Sequence, residues 1–378
     1  MKPILHLTHT DIESDSRILK EINALTSSGH SISGIGVKLD EGAKKSTTLC
    51  KQNIHAIRLK SRNLTFLPRT IRHTLSLFEL TFKMLPRAIR IKPKVIHCHD
   101  TLVLPLGVII KIFSRAKLIY DAHELESDRN GITKTQSKLT LFVEKLLWRF
   151  IDALIVVSPS IEHWYKQNLG DKPSAVILNS PVFTETKSPS QDYIREKFDI
   201  PKDQLVFIYV GILGQGRGID LITEVFQKSD ITSHVVFLGY GELTPELQLL
   251  AAKHSNIHVH AAVPHAEVVP VIRSADFGFC LVQDVSLSDY YCLPNKLFEY
   301  CFAGVPVLAS DFPDIRKLVE EHKIGECCDL NVSAVHKAIR DLEKNKKLFS
   351  FSNIEALSWQ AQSDKLLSLY KEILSNPD

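Results

Sequence analysis

The sequence predicts an α/β chain built from two Rossmann-like domains, and three observations carry that expectation. Short runs of Val, Ile and Leu alternate from end to end with helix-length amphipathic segments, the pattern of parallel sheets covered on both faces. The alternation lapses at Pro181–Asp192, where Pro, Ser, Thr and Lys dominate, so this stretch reads as an inter-domain linker. The 378 residues, 44% hydrophobic and 24% charged, supply core for about two domains. The same composition excludes disordered, fibrous and disulfide-stapled classes.

In the first half the expected strands are Ile4–Leu7, Ser31–Val37, Val95–Cys98, Lys117–Asp121, Leu154–Val157 and Ala175–Leu178. Several end in a polar or glycine-containing turn, and ligand sites in such sheets gather at carboxyl strand ends. A helix Arg17–Thr26 opens after a polar loop, with Asp15 or Ser14 as its cap. The second half repeats the alternation, with strands Val206–Val210, His234–Leu238, Ile257–His260, Phe277–Leu281 and Val305–Ala309. Its helices are Ile219–Ser229, Pro245–His254 and a short one near Asn295–Phe302. Residues 359–374 carry apolar positions at helical spacing and predict a closing helix that returns to the first domain. The expected division is 1–182, 193–358 and the helix 359–378.

A formal charge of +3 is too mild to predict a nucleic-acid partner. The seven cysteines show no C-x-x-C pairing or zinc-like clustering, which suits a reducing, cytoplasmic setting. The start Met1–Leu7 is too short and too polar afterwards for a secretory signal and reads as a first strand. The longest apolar stretch, Leu102–Phe113, falls short of the ~20 residues that span a bilayer. Between Arg58 and Lys94, ten basic residues face a single acid, Glu79, and interleave with Leu75, Phe78 and Phe82. This predicts a helical hairpin on an anionic membrane surface, against a nucleic-acid patch or a core helix with a solvated basic face.

Chemistry concentrates at a few turns. The segment Leu293–Ser310 reads as a turn, a short helix ended by Gly304 and a strand, and it places Glu299 inside the helix near the ligand edge. There a carboxylate can accept two hydroxyl hydrogen bonds from a sugar or ribose, or serve as a solvated helix residue. The stretch Tyr209-Val210-Gly211-Ile212-Leu213, followed by Gly216-Arg217-Gly218, leads into the Ile219 helix, offering backbone N–H groups, a helix N-terminus and a cation to an anion. Gly239 lies in a second glycine-rich turn and Val263 in a strand-to-helix turn. In the first half, Tyr120-Asp121-Ala122-His123-Glu124 ends a strand at the ligand edge. His97 and His99 share one strand face but lack a third and fourth metal ligand at recognisable spacing, so no metal site is expected. Arg17, in the first turn of its helix, is electrostatically misplaced unless it meets an anion.

These segments resemble the retaining glycosyltransferases of family 4, over nearly the whole chain. The resemblance implies the GT-B fold, in which two Rossmann-like domains face a central cleft and the C-terminal helix crosses back. It assigns Glu299 to the donor ribose and Arg217 to the diphosphate. Gly211, Gly239, Val263, Asn295, Lys296 and Leu297 complete the nucleotide-sugar contacts. His123 is assigned to a donor-sugar hydroxyl or the departing phosphate, and Arg17, His99, Asp100 and Glu124 to the acceptor side. Two positions depart from the family pattern. Tyr291 stands where a leading carboxylate touches the transferred sugar, with Asp284 or Asp289 as substitutes, and Ile212 stands where a diphosphate-binding arginine is common. Lys296 is expected to replace that cation.

The implied activity is metal-independent, cofactor-free transfer of a hexosyl group from a UDP-sugar or GDP-mannose. The acceptor is a glycan or lipid-linked acceptor in surface polysaccharide biosynthesis, used at the inner face of the membrane. The alternatives are a nucleotide-sugar epimerase of the same fold and a non-catalytic scaffold subunit.

Overall fold

The computed structural model describes residues 3–38, 53–182, 192–345 and 348–375, with the side chains of 69 and 70 not described. Most of the expected linker, 183–191, lies outside these residues. The chain divides into two compact units, 1–177 with 363–378, and 178–362.

In the first unit the described strands are β1 (Pro3–Leu7), β2 (Ser31–Val37), β3 (Asn53–Ile57), β4 (Val95–His99), β5 (Lys117–Ala122), β6 (Ala153–Val156) and β7 (Ser174–Val176). They form one parallel sheet in the order β3-β2-β1-β4-β5-β6-β7. Helices α1 (Ser16–Ser27), α2 (Arg69–Ile91), α3 (Leu104–Ser114), α4 (Lys134–Leu147) and α5 (Pro159–Leu169) make the crossovers. The order reverses at β1, so right-handed connections place α1 on one face of the sheet and α2, α3 and α4 on the other. Asp15 caps α1, accepting from the N–H groups of Arg17 and Ile18, and Thr133 and Gln136 form a reciprocal capping box on α4. Gly107 lets α3 press onto β4: a Cβ there would lie 2.3 Å from the Cys98 sulfur.

The basic stretch 58–94 is not a hairpin. Its apolar period runs unbroken through one 23-residue helix, α2, and Pro86 interrupts a single backbone bond without ending it. A short turn at 60–63 precedes α2 and is tied back by Glu79, which accepts from the N–H groups of Lys60 (2.9 Å) and Ser61 (2.8 Å).

The second unit opens with α6 (Tyr193–Phe198) and holds β8 (Val206–Ile212), α7 (Ile219–Phe226), β9 (His234–Tyr240), α8 (Thr244–Ala251), β10 (Ile257–Ala261) and α9 (His265–Ile272). Then come β11 (Phe277–Cys280), α10 (Leu287–Tyr290), α11 (Asn295–Ala303), β12 (Val307–Ser310), α12 (Pro313–His322), β13 (Gly325–Cys328) and α13 (Val332–Lys344). Its parallel sheet runs β10-β9-β8-β11-β12-β13, again reversing beside the first strand. Phe207 stacks on Phe277 and Phe279 with centroids 5.2 and 5.0 Å apart, inside a core that includes Phe226 and Phe237. The last helix, α14 (Trp359–Ser375), belongs to the first unit from residue 363 on. Its Tyr370 hydroxyl lies 2.7 Å from Nδ1 of His97.

Candidate active-site residues in each unit

In the second unit the candidate residues collect where β8 and β9 end. Gly211 and Gly239 are register partners, at φ +125° and +154°, and a Cβ on Gly239 would lie 1.9 Å from the Gly211 carbonyl oxygen. Gly218, at φ +72°, is the N-cap of α7, and a Cβ there would meet the Leu281 carbonyl at 2.3 Å. These close approaches require glycine, and Gly218 turns the chain into the helix N-terminus directly after Arg217.

Asn295, Lys296 and Leu297 form the first turn of α11, which ends as expected on Gly304 in the left-handed region. Lys296 is buried along its stem, packs against Gly211, and holds its ammonium 3.7 Å from the centroid of the Tyr209 ring. Glu299, one turn further, is buried at 8% exposure. Tyr300 fixes this helix on the sheet. Its hydroxyl accepts from the Val210 N–H and lies 3.1 Å from the carbonyl oxygens of Ile208 and Phe279, and its ring covers Gly278. The sequence reading missed this anchor, although a lone glycine inside a strand, Phe277-Gly278-Phe279, signals close approach. Arg217 and Lys296 both act on Cys292, whose thiol burial pushes well up. Asp289 is raised by burial while Arg217 opposes the shift. Tyr291 follows α10, Val263 lies in the turn after β10, and the Ile212 side chain is exposed.

In the first unit β1, β4 and β5 present His6, His97, His99 and Asp121 to the face that carries α1. Asp121 is the hub. Its Oδ1 accepts from Nη2 of Arg17 at 2.9 Å, and its Oδ2 lies 3.3 Å from His97 Nε2, 3.2 Å from His99 Nδ1 and 3.2 Å from His123 Nε2. Burial opposes ionisation, yet Arg17 and His123 hold the Asp121 carboxyl well below the usual range. His123 reaches the surface. Burial disfavours its charge, but Asp100 and Asp121 outweigh that cost and raise it to about 10. Beneath it His99 and His6 are joined at 2.9 Å, and burial keeps them and His97 neutral, the last pushed down to about 3. Asp100, at φ +66°, bends the chain at the end of β4, 3.7 Å from His123 Nδ1 and 3.6 Å from His9 Nδ1.

Two expected acceptor contacts are corrected by these positions. Arg17 does meet an anion, but the anions are Asp121 and Glu21 of its own chain, with Nη1 bound to the Ile177 carbonyl; at 3% exposure it is closed to a ligand. His99 is wholly buried and reaches the surface only through His123, 3.1 Å away. Asp100 is buried at 9% exposure, whereas Glu124 is exposed.

Further side chains able to bind a metal reach His97 and His99 only through the fold, not through neighbouring sequence. The fold adds His6 from β1 and Glu21 from α1, so His6, Glu21, His97 and His99 could hold an ion, as could His99, Asp121 and His123. The arrangement suits a hydrogen-bonded stack better. The three imidazoles lie nearly parallel, centroids 4.4 to 5.2 Å apart, His6 is hydrogen-bonded to His99, and the Arg17 guanidinium already supplies a cation beside Glu21.

The description "Glycosyltransferase Family 4" matches residues 17–180, and "Glycosyl transferases group 1" matches 190–353. A chitobiosyldiphosphodolichol beta-mannosyltransferase of Kluyveromyces lactis is 26% identical over 262 residues, which is 59% of this chain and 57% of that protein. The chain thus matches little more than half the length of such relatives. Among solved structures, sucrose-phosphate synthase from Thermosynechococcus elongatus superposes with a TM-score of 0.78 at 17% identity, covering 99% of this chain and 100% of that one. HepE of Anabaena in complex with UDP gives 0.69 at 15% identity, covering 99% and 98%. The fold is that of the GT-B glycosyltransferases. With one family description on each unit and the glycine-lined strand ends in place, the chain belongs to the glycosyltransferases of family 4.

Proposed function

We propose that the protein transfers a hexosyl group, with retention of configuration, from a nucleotide sugar to a glycan carried on a lipid diphosphate. The observation that carries this reading is Lys296 held beside Gly211, next to the Gly218 N-terminus of α7 with Arg217, a cationic and backbone-rich edge shaped for a diphosphate. Glu299 serves the ribose hydroxyls. The UDP complex of HepE supports a uridine donor and the name of the Kluyveromyces protein a mannosyl donor, so UDP-sugars and GDP-mannose are the candidates. That name also supports the lipid-diphosphate acceptor.

In the proposed reaction the bond from the anomeric carbon to the departing phosphate oxygen breaks as the acceptor oxygen bonds on the same face. The acceptor proton passes to the phosphate oxygen that leaves. Arg217, Lys296 and the α7 N-terminus take up the developing charge without a metal ion, and His123, as an imidazolium, donates a hydrogen bond to a donor hydroxyl or the phosphate. The setting proposed is the inner face of a membrane, with the 58–94 stretch toward anionic lipid; among the described residues no helix is long and apolar enough to cross one.

Melting of the protein with UDP, GDP and their sugars, in the absence of metal, tests this. Stabilisation by one nucleotide series, lost in Glu299→Ala, supports the reading. A protein that none of them stabilises at millimolar concentration is not a transferase of this kind.

A further inference from the structure

The helices α2, α3 and α4 lie side by side in that order on one face of the first unit's sheet, α2 against α3 and α3 against α4. Each has a buried inner side: Leu80, Met84 and Ala88 on α2, Leu106 and Ile110 on α3, Glu144 on α4. Their outer sides should then be polar, as on any water-facing helix. They are not. On α2 the exposed residues Ile71, Leu75, Phe78 and Phe82 recur at steps of four, three and four, and Phe82 is 76% exposed. On α4 the exposed residues Leu139, Phe142 and Leu146 recur at three and four. Between them Ile112 and Phe113, the latter 69% exposed, close the gap at the end of α3. Among the described residues nothing covers these amphipathic stripes, and three adjoining ones exceed the scattered apolar exposure of an ordinary surface.

The charge on this surface has one sign. Residues 102–117 contain no acid, and 131–150 contain one, Glu144, which is buried and accepts from the hydroxyls of Tyr120 (2.8 Å) and Tyr165 (2.7 Å). Glu79, the lone acid of 58–94, is engaged by Lys60, Ser61 and Lys83. Around the stripes stand the exposed cations Arg87, Arg90, Arg115, Lys138 and Lys145. A second copy docking here symmetrically would set these cations against one another. A bilayer with anionic headgroups accepts both the stripes and the charge.

We propose that the outer sides of α2, α3 and α4 form one continuous docking surface for an anionic bilayer, with Phe82, Phe113 and Phe142 entering its interface. This deepens the proposed membrane setting, which rests on 58–94 alone, and it moves half of the contact onto α3 and α4. Docking through three parallel strips, unlike docking through one helix, fixes the orientation of the sheet above the membrane.

The test is co-sedimentation of the full chain, without nucleotide sugar, with vesicles of phosphatidylglycerol and phosphatidylcholine and with vesicles of phosphatidylcholine alone. The wild type binds the anionic vesicles and releases at high salt. Phe113→Ser with Phe142→Ser lowers partitioning about ten-fold or more with an unchanged melting temperature, and Phe82→Ser does likewise. Equal binding by the Phe113/Phe142 variant overturns the three-helix surface and leaves a role for 58–94. A wild type that ignores anionic vesicles overturns both. Light scattering that shows dimers broken by the same substitutions assigns the face to a second copy instead and also overturns it. None of these readings depends on donor binding, so failure of the transferase reading is scored separately.

Discussion

The Nε2 of His123 lies 3.2 Å from Oδ2 of Asp121, while its Nδ1 lies 3.7 Å from Oδ1 of Asp100, so the imidazole stands between two carboxylates. Either carboxylate favours the charged ring, and together they lift it to about 10 against the cost of burial. A raised cation of this kind stabilises the fold fully below the unfolded value of about 6.5, and loses that contribution as pH rises through about 10. Melting temperature measured from pH 6 to 10.5 is therefore expected to fall more in the wild type than in His123→Gln. In Asp100→Asn the weaker clamp moves the loss to lower pH. The alkaline limb of transfer activity should move the same way, and identical profiles for wild type and Asp100→Asn would show that the clamp does not set the charge.

Arg17 carries a separate prediction about stability. Among the described residues it is the one cation touching both Asp121 and Glu21, and neither oxygen of Glu21 has a hydrogen-bond donor there. Burial, with Asp121 adding to it, pushes Glu21 up to about 8 even beside Arg17. Arg17→Met strands Asp121 in the core, and urea unfolding at pH 7 should show a loss of about 3–5 kcal/mol. Arg17→Lys should recover only part of it, because a point charge cannot reach both carboxylates and the Ile177 carbonyl. A loss within the scatter of surface substitutions would mean that the cluster relaxes around a neutral Asp121.

The contrast between Arg17 and Glu299 shows what the chain reveals before it folds. Both stand inside helices as charges near a strand end, and local pattern fixed both helices, through the Asp15 cap and the Gly304 terminator. Glu21 stands one turn along the same helix, but the other partners of Arg17 come from β5 and from Ile177, 104 and 160 residues away, and no local rule reaches that far. The histidine stack was hidden for the same reason, since His6 and His97 become neighbours only through the β1–β4 register. Two edge strands also escaped. Asn53–Ile57 is half exposed and opens with a polar residue, and Gly325–Cys328 (Gly-Glu-Cys-Cys) has no β-branched residue, so tertiary pairing made them strands. The division of the chain into alternating α/β segments was legible because buried parallel strands need nearly continuous apolar runs.

Tyr300 and Gly278 act as one device. A Cβ at Gly278 would lie 2.5 Å from the Tyr300 ring, so Gly278→Ala must push α11 off the sheet. Tyr300→Phe keeps the ring but leaves the Val210 N–H without its acceptor, at a cost of about 1–3 kcal/mol in urea unfolding. Because α11 also carries Lys296 and Glu299, both substitutions should weaken nucleotide binding beyond their cost in stability. Calorimetric titration with UDP or GDP on the folded variants measures this, and unchanged affinity in Gly278→Ala would separate the anchor from the site.

The last prediction distinguishes a diphosphate site from a general anion surface. Lys296 is held by Gly211 and the Tyr209 ring, so its ammonium is placed before any ligand arrives, whereas Arg217 stands in the glycine-flanked turn that leads into α7. Preplaced charge loses little entropy on binding, and charge-assisted hydrogen bonds to phosphate are the stronger kind. Lys296→Met should therefore cut affinity for the nucleoside diphosphate about ten-fold or more, a larger fall than its effect on the free nucleoside, which lacks the phosphates. Arg217→Ala should do the same, and the double variant should fall further than either. Glu299→Gln should instead lower nucleoside and diphosphate binding by the same factor, because it serves the ribose that both ligands share. Titration of the four variants with each ligand gives the ratios, and a Lys296→Met protein that loses nucleoside and diphosphate equally would place the ammonium away from the phosphates.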